Sequence, residues 1–220
     1  MDSQMNERAD DHIRLNSVEY DGLINSMPPF TLASFSAVLH FGHAYLLDSG
    51  ENSGSWIVSW MIGGMIPAGQ GDILRDGMPY TLEQRRKDAW CVRYSQAFRS
   101  IFARNPSVQQ QVRYGLRRFN TSDLKSEQEV MEYFELTPQR FARPLTKMSH
   151  EAWRASCAIG IVNNKRIFCF PYLDPTHIES TFMNWFPRLI GNLKKYNALI
   201  ILPTIETPIT KTLVDKVIRL

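Results

Sequence analysis

Cysteine is scarce: Cys91, Cys157 and Cys169 are an odd set without CxxC spacing, each in an apolar setting. That excludes a disulfide frame and reads as buried thiols of a reducing compartment. Long apolar runs are missing too. Nothing approaches the roughly 18 residues that a membrane span needs, and mean hydropathy is −0.27. The first dozen residues are acidic and polar, so neither a signal nor a transit peptide is expected there. No repeat or low-complexity tract stands out. Neither charge sign dominates: the net charge is +3, with 21% charged and 44% hydrophobic residues, which excludes a disordered chain or a coiled coil. What remains is 220 residues of ordinary globular composition, one α/β domain or one with an inserted subdomain. Such a chain buries roughly 70% of its unfolded surface, enough for a core without staples.

The small net charge hides an asymmetry. Residues 75–166 hold 17 Lys/Arg against 9 Asp/Glu, whereas the rest of the chain is net negative. A solvated basic face explains this, and so does an acidic partner such as phosphate, nucleic acid or the inner face of a membrane. Nucleic acid is not expected, because no motif or aromatic platform accompanies the charge.

Residues 1–12 read as a flexible tail and 13–18 as a strand of alternating side chains. Asp21 and Gly22 mark a turn, Pro28 and Pro29 a break. Residues 44–47 form a short apolar strand, 50–55 (GENSGS) a small-residue turn, and 56–62 an apolar helix. A further strand is expected at 72–74. The middle third is helical. Ser107 and Gln110 make a capping box for a helix carrying Val108, Val112, Leu116 and Phe119 on one face. A second helix spans 127–135, and Ser149 caps a third that runs to residue 161. Strand 166–170, helix 178–196, strand 198–202, a short helix near 210–215 and strand 216–220 follow, with Pro187 bending or breaking the long helix. That alternation argues for parallel crossovers.

The turn at 50–55, between an apolar strand and an apolar helix, stands where a phosphate-cradling loop belongs. The run AYLLDSGENSGSWIVSWMIGGMIPAGQGDIL resembles the Walker A region of an ABC transporter nucleotide-binding subunit. Other landmarks of that family follow in order. Gln96 resembles the Q-loop glutamine, 42 residues beyond Gly54. NPSVQQQVRYGLRRF resembles the helix that follows it, and MSHE before WRASCAIGIV a corrupted signature. RIFCF resembles the Walker B strand, NALIILPT the strand leading to the switch histidine, and LVDKVIRL the closing strand. The resemblance covers about residues 13–220. It implies an α/β fold with an ABC ATPase-like P-loop core, a mixed sheet at 13–86 and 158–220, and a helical subdomain at 87–157.

The departures from the family pattern fall on the chemistry. The Walker A lysine aligns with Ser55 and the Mg²⁺-binding hydroxyl with Trp56. The Walker B carboxylates align with the stretch Phe170, Pro171 and Tyr172, the switch histidine with Thr204, and the signature glycines with His150 and Glu151. Phosphoryl transfer depends on positioning and charge neutralisation, so their joint loss removes the mechanism. The resemblance therefore implies a degenerate cassette, a pseudo-ATPase acting as scaffold or regulator of a membrane transport or secretion complex. No catalytic residue, no metal and no cofactor is expected. ATP with Mg²⁺ enters only if the chemistry is relocated to Asp174, Glu179 or a lysine from elsewhere. A freestanding interaction module is the third reading.

The degenerate nucleotide-site residues implied are Tyr20, Gly50, Asn52, Ser53, Gly54, Ser55, Gln96 and Ser149. Tyr20 matches an adenine-stacking aromatic or is a packed strand residue. Gly50 and Gly54 serve the cradle or any tight turn, and Ser149 is a signature remnant or a helix cap. Trp56 and Trp60, four apart, read as core. His40 and His43 lack a third ligand, and Asp174, His177 and Glu179 make a polar cluster that reads as a capped loop. The expected partners are a membrane permease subunit and possibly a second cassette, with the protein cytoplasmic and peripheral to the membrane. Arg93, Gln96, Phe98, Arg99, Ile101 and Phe102 are the expected docking residues, aromatic anchors ringed by arginine.

Overall fold

The computed structural model describes residues 11–22, 30–50, 54–94, 105–119 and 123–220. The chain runs β1 (His12–Gly22), β2 (Phe30–His40), β3 (Ala44–Asp48), α1 (Gly54–Ile62), β4 (Gln70–Arg75), β5 (Met78–Pro79), α2 (Leu82–Asp88) and β6 (Ala89–Cys91). Helices α3 (Val108–Arg118), α4 (Glu127–Tyr133), α5 (Pro138–Phe141) and α6 (Glu151–Val162) follow. Then come β7 (Ile167–Cys169), α7 (Pro175–His177) passing into a π-helical turn (Ile178–Phe182), α8 (Phe186–Lys195), β8 (Leu199–Pro203) and β9 (Lys216–Arg219).

These strands make two sheets. An antiparallel one has the order β2-β1-β4-β5, and a parallel one the order β6-β7-β8-β3-β9. Strands buried on both faces read as continuous apolar runs, and Leu199, Ile200, Ile201 and Leu202 are each at most 1% exposed. Their side chains still alternate. Ile200 and Leu202 join a core shared with α3, α6 and α8, whereas Leu199 and Ile201 join a second core shared with α1 and the antiparallel sheet. Helix α1 lies in that second core, and eight of its nine residues are buried. A helix apolar all round belongs there.

In β1, Ile13 and Leu15 face the core, and the register with β2 then shifts before Val18. Ser17 takes φ 47° at this bulge, so Val18 rather than a serine reaches the core. Gly71 crosses the bulge closely: a Cβ there would lie 2.3 Å from the Ser17 carbonyl oxygen.

Several expectations are met. Ser107 and Gln110 form the reciprocal capping box, and the long helix is broken, with Pro187 in the first turn of α8. Others need correction. Ser149 does not cap α6: His150 holds the N-cap position without a side-chain cap, and the Ser149 hydroxyl accepts from Arg140 instead. Strand β6 joins the parallel sheet beside β7, within the stretch read as helical.

Asp215 pins the end of the parallel sheet, accepting from the Ala44 N–H (2.8 Å) and from the Lys194 ammonium (2.6 Å). Burial alone would raise its pKa, but these two donors outweigh it and hold the carboxyl below its usual value. The stabilisation is whole above the ordinary carboxylate pKa and is lost as pH falls through the depressed one. Asp215→Asn should therefore cost about 1 kcal/mol at neutral pH, allowing for partial exposure. In parallel urea titrations the gap from wild type should close in acid.

Candidate functional site

The loop between β3 and α1 is shaped by its own polar groups. Gly50 takes φ 59°, which favours glycine, and its N–H donates to Asp48 Oδ1 at 2.8 Å. Asp48 Oδ2 accepts from the Glu206 N–H, tying the loop to the segment after β8. Asn52 and Ser53 lie outside the described residues. At the start of α1, Ser55 is 1% exposed and its hydroxyl accepts from Ser49 Oγ at 2.9 Å. Trp56, half-buried, packs on Trp60 with ring centroids 4.1 Å apart. Neither residue offers an ammonium.

Tyr20 lines a cavity of about 430 Å³ with Glu19, Asp21, Leu32 and Gln70. Leu32 also reaches Gly54, 3.4 Å from where a Cβ would stand. The fold thus brings Tyr20 and the head of α1 to two sides of one leucine, although 34 residues separate Tyr20 from Gly54.

The positions that the sequence resemblance aligns with the family's acids and switch are engaged within the fold. Phe170 is fully buried, and its carbonyl accepts from Ser59 Oγ on α1. Thr204, 2% exposed, donates its hydroxyl to the Leu173 carbonyl at 2.6 Å. Asp174 caps α7 by accepting from the His177 N–H, and Glu179 accepts from the Thr207 hydroxyl. No group of three or more potential metal ligands occurs among the described residues. His43 Nδ1 lies 3.2 Å from the Phe41 carbonyl oxygen, and the His40 and His43 ring centroids are 6.1 Å apart. Burial pushes the Cys157 and Cys169 thiols far up, which keeps them protonated.

Arg93 and Ser149 come together at a different cavity, with His150, Trp153, Tyr172 and His177. Gln96, Phe98, Arg99, Ile101 and Phe102 lie outside the described residues. Sequence reasoning missed this cavity, and it missed the Thr81–Gln84 capping box that starts α2. The second had the same serine/threonine-x-x-glutamine signal as the box at Ser107.

No family model matches the sequence, and a search of the curated proteins finds no match. Solved structures do match in three dimensions. cbiO1 from Clostridium perfringens, part of the ABC transporter complex cbiONQ, superposes with TM-score 0.66 and 16% identity over 96% of this chain and 85% of that one. The fold is that of an ATP-binding cassette. The cassette MJ0796, in a dimeric post-hydrolysis state bound to ADP and Pi, gives TM-score 0.66 and 15% identity over 94% of each chain. A bacterial Atm1-family ABC exporter with ATP bound gives 0.63 and 15% over 96% of this chain, which spans 37% of that exporter.

The expectation that the chain takes no cofactor is corrected by these structures. Cassettes of this fold hold ATP, or ADP with Pi. The described residues fit such a group in part: a cavity beside Tyr20 of base-binding size, and a helix head behind a glycine turn. No helix among the described residues is long and apolar enough to cross a membrane.

Proposed function

We propose that this chain is a cassette subunit that holds a nucleotide without hydrolysing it, as scaffold or regulator of a membrane transport complex. The observation that carries this reading is the head of α1. Ser55 is buried with its hydroxyl engaged by Ser49, and Trp56 packs at a tilt against Trp60. Transfer of a phosphoryl group needs its charge neutralised in the transition state, and these side chains cannot do that. Asp174 and Glu179, the residues to which chemistry could have moved, each accept a loop hydrogen bond through one oxygen. Nucleotide retention rests on the other half of the site. Tyr20 supplies a ring for a base, and Glu19 and Asp21 beside it can accept from an exocyclic amine.

In this reading the partners are a membrane permease subunit and a second cassette, met at the cytoplasmic face of the membrane. Arg93 and the run that includes Gln96, Phe98, Arg99, Ile101 and Phe102 would dock the permease. The chain would work as a sheet core (13–86 and 158–220) carrying a helical subdomain (87–157).

The test is to put back the two residues at the head of α1. Ser55→Lys with Trp56→Ser should leave ATP hydrolysis at the level of the buffer blank, because Phe170, Pro171, Tyr172 and Thr204 still stand where the other groups are needed. Phosphate release by the double variant overturns the reading. ATP at about 100-fold over its Kd should stabilise the wild type by about 2.7 kcal/mol, read as a thermal shift. Tyr20→Ala should reduce that shift.

A further inference from the structure

We propose that the cavity between Arg93, the head of α6 and the segment after β7 binds a small planar anion, an aromatic carboxylate. This goes beyond the cassette reading, with which it shares Arg93. The cavity measures about 340 Å³, which suits a one- or two-ring ligand.

Its floor is aromatic. Trp153 is stacked parallel on Phe170 at 5.9 Å, and Phe182 meets Trp153 at 5.8 Å. The rim carries exposed polar rings: Tyr172, His150 and His177, the two imidazoles lying 6.3 Å apart and 32° from parallel. His177 in turn stands edge-on to Phe182 at 5.0 Å. Flat ligands gain from offset or edge-on contact with such walls.

The charge is supplied by Arg93. Its guanidinium lies over the Trp153 ring, 5.3 Å from the centroid. The backbone at Arg93 takes φ 71°, a conformation that costs a non-glycine residue energy and persists only when its surroundings impose it. The turn is anchored from α6: the Arg93 N–H donates to Ser156 Oγ at 2.8 Å. The turn sets the Arg93 side chain beside the cavity, and its planar, always-charged guanidinium is the kind of group that grips a carboxylate through two parallel hydrogen bonds. Asp174, the carboxylate of the lining, accepts from the His177 backbone N–H, which turns one of its oxygens into the first turn of α7.

The probe is 2-naphthoate, titrated into the full chain by calorimetry and by saturation-transfer NMR, with cyclohexanecarboxylate and inorganic phosphate as controls. Saturable binding of 2-naphthoate is expected, at least about tenfold tighter than either control. Arg93→Gln should weaken it by a similar factor, and Tyr172→Ala should weaken it too, both with unchanged melting temperatures. Absence of saturation overturns the proposal. So does equal affinity for phosphate or the saturated ring, or binding that both variants leave intact.

Discussion

Trp90→Ala is expected to remove about 4 kcal/mol of stability, a large part of what a domain of this kind possesses. Trp90 is 1% exposed on β6, and the helical layer packs on its ring. Truncation deletes the apolar transfer term and leaves a cavity that the flanking strand and α6 cannot both fill. It also deletes the indole N–H that donates to Ser156 Oγ at 3.0 Å. That hydroxyl is the one that accepts from the Arg93 backbone, so the strained turn at the cavity wall loses part of its support. Urea unfolding followed by circular dichroism should show a lower midpoint with the slope unchanged. A loss under about 1 kcal/mol would mean that the ring is not packed as described.

Gly160→Val should cost about 3 kcal/mol, by overpacking instead of cavity formation. Gly160 lies in α6, and a Cβ there would stand 2.6 Å from Phe168 Cε1 and 2.9 Å from Trp90 Cγ. Real Cβ atoms do not approach so closely, and both rings are fixed in the core. The two sites are in contact, so their effects should not add. In a Trp90→Ala background the valine gains room, and the double variant should be more stable than the sum of the single losses implies. Simple additivity would contradict the contact.

The same packing logic explains what the sequence disclosed. The parallel strands were legible because strands covered on both faces must be apolar throughout, as Leu199 to Leu202 are. Helix α1 was legible for the same reason. Order and spacing of the landmarks were enough to suggest the cassette fold that the solved structures share. Strand β6 was not legible, because three residues carry no periodicity and its identity comes from pairing with β7. Ser149 misled because a serine before a helix is usually a cap, and here the side chain turns to Arg140 instead.

The candidate site divides in the same way. Ser55 and Trp56 can be read from the sequence, but the setting of Ser55 depends on burial: its hydroxyl accepts from Ser49 in the interior. That Tyr20 and Gly54 share Leu32 is a product of the β1–β2 register and of α1 packing on β2, which no local pattern encodes. The positive φ of Arg93 was equally hidden, since it is set by Ser156, 63 residues away. The cofactor expectation took the side chains at Ser55, Trp56 and Thr204 to exclude a ligand, whereas backbone amides and cavity walls also hold one.

The proposed cassette holds nucleotide and does not cleave it. Its most direct test is phosphate release by the wild-type protein under saturating Mg·ATP, with the bound nucleotide then recovered and identified. Release no faster than the buffer blank is expected, with intact ATP recovered from the protein. Turnover on the order of 1 per second, lost on Asp174→Ala, would contradict it.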